Sequence, residues 1–206
     1  VEIYSTEEQQ VDAIKQFWKD YGNSILIGAI VGLGGLYAWN YYSDLKIAQT
    51  EAASQTFSNI SQNASDAAAI EAGVAEFAKV HDQSGYQSLL DLILAKAAVE
   101  AGELTKAEDA LKRVIAAKAG AGLDMIATLR LARVQAEQGQ LATALTTLEQ
   151  VTEDAFAAQR DELKGDFLAR QGEVDKAKAA YQAAMDKGGV AASPALKMKF
   201  DSLNQA

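Results

Sequence analysis

AKAAVEAGELTKAEDALKRVIAA, residues 95–117, is an Ala-rich run, a Gly, and a second run. LARVQAEQGQLATALTTLEQV at 131–151 and FLARQGEVDKAKAAYQAAM at 167–185 repeat the pattern. The turn glycines are Gly102, Gly139 and Gly172, spaced by 37 and 33 residues. Five positions past each Gly stands a small residue (Ala107, Ala144, Ala177), and nine past it a bulky one (Leu111, Leu148, Tyr181). Val114, Val151 and Ala184 recur three positions further on. These spacings bracket the period of about 34 residues of tetratricopeptide helix pairs. Gly closes the turn, the small residue lets two antiparallel helices cross closely, and the large one packs against the neighbouring unit. The extra length of the first interval falls at Lys118-Ala119-Gly120-Ala121-Gly122, read as a loop between units. Gly165 holds a position that is Ala95 and Ala132 in the other two copies.

Composition agrees with stacked helices. Ala occurs 41 times and Pro once, so the chain favours helix formation and avoids breaking it. The fold class expected is all-α: a single N-terminal transmembrane helix followed by a degenerate tetratricopeptide-repeat α-solenoid. Residues 44–62 and 66–80 supply an eroded first repeat. Ser193 and Pro194 read as the N-cap and first position of a terminal helix over 194–204, with Lys197, Lys199 and Asp201 on its outer face.

Towards the N-terminus the character changes. Residues 24–39 read SILIGAIVGLGGLYAW, and no charge lies between Asp20 and Asp44. That uncharged window of 23 residues is about 34 Å as a helix, against a hydrocarbon core of roughly 30 Å. Phe17, Trp18 and Tyr21 precede it; Tyr37, Trp39, Tyr41 and Tyr42 follow, the arrangement of two interfacial aromatic belts. A cleaved signal peptide fits poorly. Five acids (Glu2, Glu7, Glu8, Asp12, Asp20) face two lysines before the run, and no A-x-A site follows it. The expected division is a cytoplasmic tail at 1–23, a membrane helix at 24–43 and a periplasmic repeat domain at 44–206. Lys15 and Lys19 before the span outweigh Lys46 after it, which puts the N-terminus in the cytoplasm. Gly28 and Gly32 form a small-xxx-small face for packing against another membrane helix. In the tail, Ser5 and Glu8 stand at capping-box spacing before Val11, Ile14, Phe17, Trp18 and Tyr21. That stretch reads as a short amphipathic helix at the cytoplasmic headgroups, which either docks a partner or merely continues the span.

Much chemistry is excluded. Without Cys there is no thiolate nucleophile, disulfide or Cys-ligated metal, and His81 has no second His to complete a metal site or triad. The formal charge of −9 argues against nucleic acid. Glycines 28, 32, 34 and 35 lie inside the apolar run with no strand before them, so they are no nucleotide loop. Glu153/Asp154 and Asp161/Glu162 read as solvated helix faces, and His81 as a solvated loop side chain. No residue is nominated as catalytic, metal-ligating or cofactor-binding. Binding remains. The first helix of each pair lines the concave side of such stacks. This projects Leu89, Leu92 and Lys96 from the first unit, Ile126, Leu129 and Arg133 from the second, and Gln159, Glu162 and Asp166 from the third, as a groove for an extended polypeptide or a partner surface. The competing placement packs Leu92 and Leu129 between helices.

Three strings carry a resemblance over essentially the whole chain: Glu2-Ile3-Tyr4, then Gln10-Val11-Asp12-Ala13-Ile14-Lys15-Gln16-Phe17, and Leu129-Arg130-Leu131-Ala132-Arg133-Val134-Gln135. With the order tail, span and degenerate repeats, the sequence resembles the YfgM-like family of bacterial inner-membrane proteins, the ancillary SecYEG translocon subunits. The resemblance implies a single-pass inner-membrane protein with repeats in the periplasm. It also implies association with SecYEG and with a membrane-anchored, PpiD-like periplasmic chaperone, in helping newly exported polypeptides from the channel to folding factors. The family offers no catalytic residue or cofactor to carry over. The alternative expectation is a membrane-anchored tetratricopeptide scaffold for another envelope assembly or a stress-regulatory complex.

Overall fold

The computed structural model describes residues 7–62 and 67–203, and all regular structure among them is helical. In chain order the helices are α1 (Glu7–Gln62), α2 (Ala67–Val80), α3 (Ser84–Glu100), α4 (Leu104–Ala117), α5 (Ala121–Glu137), α6 (Leu141–Leu148), α7 (Asp154–Arg170), α8 (Val174–Asp186), α9 (Gly189–Ala192) and α10 (Ala195–Leu203). The chain divides into two compact units, the first ending at Glu51 and the second beginning at Ala52.

In the first unit α1 is long and apolar enough to cross a membrane. Its Ile, Leu, Val and aromatic side chains are exposed throughout, from Val11 to Ile47. An apolar surface of that extent is unfavourable in water and matches a lipid environment. Trp18 and Trp39 are separated by about 32 Å of helix rise, one bilayer core. Gly28 and Gly32 share a face, and nothing lies within 4 Å of where a Cβ would stand on either. The helix runs unbroken from Glu7 into the apolar stretch. Ser5 and Glu2-Ile3-Tyr4 lie outside the described residues, as does the side chain of Glu8.

In the second unit α3–α4, α5–α6 and α7–α8 are the three helix pairs expected from the repeats. Gly102, Gly139 and Gly172 adopt φ of 77°, 80° and 80°, the left-handed conformation that glycine reaches without steric cost. At each turn the amide after the glycine donates to a carbonyl five residues back: Glu103 to Ala98 (2.8 Å), Gln140 to Gln135 (2.8 Å) and Glu173 to Leu168 (2.9 Å). This is a Schellman closure, in which otherwise unpaired helix-end carbonyls find donors. Ala107, Ala144 and Ala177 are fully buried at the crossings, and Leu111, Leu148 and Tyr181 fill the space nine positions past each turn. Gly165 shows why its position is small: a Cβ there would stand 2.4 Å from the Tyr181 ring. The other two units combine Ala with Leu at these places (Ala95 with Leu111, Ala132 with Leu148), so the smaller partner accompanies the larger one. The end of α1 contributes Ala53, Phe57 and Ile60 to the first core cluster beside Ile70, Val74 and Phe77 of α2, an eroded leading pair.

Several local expectations are corrected. Ala121 and Gly122 open α5, leaving a shorter loop in which Lys118 turns through φ 48°. The hydroxyl of Ser193 does not serve its own helix; it donates to Glu162 at 2.8 Å, and α10 begins at Ala195. Lys199 does not face outward but reaches Glu162 and Asp166 of α7. His81 is half-buried: its Nε2 lies 3.1 Å from the Thr56 hydroxyl, and its ring centroid is 4.7 Å from that of Phe77. Asp161 is buried rather than solvated, 2.8 Å from Arg160 and 2.6 Å from Lys187. It belongs to a pattern: eleven positions before each turn glycine stands a buried polar residue, Asp91, Thr128 or Asp161. Asp91 meets Arg113 at 2.6 Å, and the Thr128 hydroxyl donates to the Asp124 carbonyl at 2.7 Å. Asp91, Thr128 and Asp161 thereby each find a partner, without which their burial would be unfavourable.

Candidate functional site

The nine projected groove residues divide into three fates. Leu92 and Leu129, only 8% and 3% exposed, belong to the core clusters, so the packing placement holds for them and they are removed from the groove. A helix-A residue is flanked by its own partner helix and by the next unit, and the apolar face goes to that contact. Glu162 and Asp166 are occupied from within the chain. Lys199 Nζ lies 2.8 Å from each, the Ser193 hydroxyl donates to Glu162, and the Tyr181 hydroxyl donates to Asp166 at 2.8 Å. Burial acts to lower the Lys199 pKa, but the hydrogen bonds to Asp166 and Glu162 outweigh it and the net shift is upward. Burial, with the bond to Asp166, pushes the Tyr181 hydroxyl upward as well. Gln159 is exposed and Ile126 half-buried, without joining a pocket described here.

Lys96 and Arg133, by contrast, come together. They stand on the rim of a groove of about 320 Å³ between α3, α4 and α5. Its apolar lining is Ala95 and Val99 of α3, Leu104 and Leu111 of α4, and Val134 of α5. Val99 is 45% exposed, so solvent reaches that wall directly. Leu89, 37% exposed on α3, is not among the groove's lining residues. Around the rim stand Glu100, Arg130 and Glu137 besides Lys96 and Arg133. Arg130, Val99 and Leu104 were not anticipated. Arg130 had a readable signal, since it sits one helical turn before Arg133 on the same face.

A second cavity, of about 610 Å³, lies over α3 between α2 and α4. It is larger, but its cations are already committed. Lys106 lies 2.8 Å from Glu71 and 2.6 Å from Glu103, and Arg113 is held by Asp91. The bonds to Glu103 and Glu71 raise the Lys106 pKa to about 12. A ligand there would have to displace internal pairs. Among the described residues no three His, Asp or Glu side chains are grouped so as to hold a metal ion. The α3–α5 groove offers what a binding surface needs: exposed apolar area, charge at the edge, and an open mouth.

Comparison with known proteins bears on the whole length. The tetratricopeptide repeat-like domain family matches residues 15–205. A Haemophilus influenzae protein named ancillary SecYEG translocon subunit is 32% identical over 200 residues, covering 96% of this chain and 97% of that protein. Its Escherichia coli (strain K12) namesake is 30% identical over 205 residues, covering 99% and 100%. A Neisseria gonorrhoeae protein of the same name is 27% identical over 202 residues. No solved structure matches the chain.

Proposed function

The chain belongs to the tetratricopeptide repeat-like family of ancillary SecYEG translocon subunits, and from that premise we propose that it acts as a non-enzymatic ancillary subunit of the SecYEG translocon. In this reading residues 24–43 anchor it in the bacterial inner membrane, residues 1–23 remain in the cytoplasm, and the domain from residue 44 onward stands in the periplasm. The repeats bind protein, acting with a membrane-anchored periplasmic chaperone to carry exported polypeptides from the channel to folding factors. The Gly28/Gly32 face, open over its small residues, packs against a membrane helix of a partner.

The observation that carries the reading is the open α3–α5 groove on a domain whose chain begins with an apolar, aromatic-flanked helix. Anchoring beside the channel raises the local concentration of any segment leaving it, so that contacts individually weak are still used. Copurification in mild detergent tests the proposal. SecYEG and the chaperone should accompany the full-length chain; recovery of intact protein with neither would refute it. Crosslinking from Arg133 separates the scaffold alternative. Exported nascent chains are expected, whereas a single folded partner would favour a scaffold.

A further inference from the structure

Consecutive repeats meet along seams, and the two seams of this domain differ in a way that defines a ligand. In the second seam, between α5–α6 and α7–α8, Phe167 is 3% exposed and packs with Ala132, Ala136 and Leu148. Beside it the Arg170 guanidinium donates to Glu137 at 2.8 Å and to the Ala136 carbonyl at 3.0 Å. The same register positions one unit earlier hold Val134 in place of Phe167, and Glu137 in place of Arg170. Val134 is itself buried in the core cluster with Ala95 and Leu111, but its side chain is shorter than that of Phe and leaves space beyond it. Glu137 offers Glu100 an acid where a base would bridge. The first seam therefore stays open, and the groove is the opening.

The charges left over decide what enters it. Glu137 is taken by Arg170, and Glu100 faces Lys96 at 3.7 Å. Arg130 and Arg133 are exposed on the rim and, among the described residues, have no ion-pair partner. A pair of uncommitted guanidiniums beside an apolar floor is an exception in a chain of net charge −9. Guanidinium selects carboxylate with two aligned donors, and an apolar floor selects an aliphatic or aromatic side chain. A volume of about 320 Å³ is at the lower end for ligand pockets, suited to side chains of a segment rather than to a folded surface.

We infer that this groove receives a polypeptide segment in which an apolar side chain is flanked by carboxylates, the apolar group replacing the missing Phe and the acids pairing with Arg130 and Arg133. The inference rests on the repeats being a polypeptide-binding module and adds the class of segment they select.

The test uses the full-length chain in neutral-lipid nanodiscs and fluorescence anisotropy of labelled peptides. One probe alternates leucine with glutamate, a second leucine with lysine, and a third serine with glutamate. The leucine–glutamate peptide should bind best and lose affinity as salt rises. The double variant Arg130→Glu/Arg133→Glu should weaken it by about tenfold or more and turn preference towards the leucine–lysine peptide. Arg130→Gln/Arg133→Gln, which adds no charge, should weaken it by a smaller factor, and circular dichroism confirms that each variant is folded. Equal binding of leucine–glutamate and leucine–lysine peptides, or reversal without effect, would overturn the proposal. So would loss of self-association on reversal in a chain that binds no peptide, since the groove would then hold a second copy. SecYEG copurification reads separately: its loss in the wild type with peptide selectivity intact refutes the translocon assignment alone. Its persistence without selectivity refutes only the groove.

Discussion

The two seams of the repeat domain are built from equivalent helices in the same register and end in opposite states. The second is filled by Phe167 and tied by Arg170; the first has Val134 and Glu137 at those positions and remains a groove. The difference teaches that in a stack of near-identical helix pairs, function is placed by what a unit omits. Val134 still joins the core of the first seam, but the larger ring and the tie beside it are absent where a ligand is to complete it.

Truncation breaks the comparison most directly. Phe167→Ala removes a buried aromatic and should cost about 3–5 kcal/mol of stability. Val134→Ala removes two methyl-sized groups beside an open groove and should cost on the order of 1–2 kcal/mol. Urea unfolding of both variants measures the gap. Equal costs would mean that the first seam is as fully packed as the second.

Acid should act next, and on the filled side. Burial tends to raise the Asp161 pKa, but hydrogen bonds from Arg160 and Lys187 overcome it and hold the carboxyl below its ordinary value. A carboxylate lowered in the folded state contributes stability above its unfolded pKa of about 3.9 and loses that contribution as the pH falls through the folded value. Thermal stability should therefore drop below about pH 4. Asp161→Asn should be less stable at neutral pH and show a flatter acid limb. Arg160 also donates to the Val151 carbonyl at 3.0 Å, so amides around Val151 should lose hydrogen-exchange protection in the same pH range. An Asp161→Asn variant with an unchanged acid limb would remove this carboxylate from the account.

Much of this architecture was legible in the chain because its causes are local. Turn glycines, the small residue five positions on and the bulky one nine positions on act within one helix pair, and an apolar helix with aromatic ends depends on its own residues alone. Lys96 and Arg133 were legible as a pair because they occupy equivalent register positions. The rest depends on contacts between distant positions. Glu162 and Asp166 looked free until α10 brought Lys199 to them from 37 and 33 residues away. His81 meets Thr56 across 25 residues, and Asp91 meets Arg113 across 22. Leu92 and Leu129 lie on helix faces whose exposure is decided by the neighbouring unit. Periodicity assigns such residues to a helix but not to an environment.

Filling the groove from within sharpens the contrast at smaller energetic effect. Val134→Phe copies the closed seam into the open one. If the space is complementary, the variant should be neutral to stabilised by about 0.5–1 kcal/mol, as cavity-filling changes commonly are. It should nonetheless lose leucine–glutamate peptide binding. Loss of stability beyond about 1 kcal/mol would show that the seam is narrower than its volume suggests.

The smallest effect should come from exchanging the tie itself. Arg170 and Glu137 are 44% and 63% exposed in their side chains, so solvent screens the pair and its removal should cost no more than about 1 kcal/mol. The double swap Arg170→Glu/Glu137→Arg keeps an ion pair across the second seam but loses the hydrogen bond to the Ala136 carbonyl, so stability should fall by about 1 kcal/mol. It also moves a cation onto the rim of the first seam, beside Arg130 and Arg133, where Glu100 and Lys96 already balance each other. The two seams share residue 137, so a small change in the filled one alters the charge of the open one. Leucine–glutamate peptide affinity should rise by a few-fold, and the rise should vanish at high salt, where exposed charges are screened within about a Debye length. Unchanged affinity beside that loss of stability would mean that position 137 belongs to the filled seam alone, and that the charge selecting a ligand is confined to the two arginines on the preceding turns of α5.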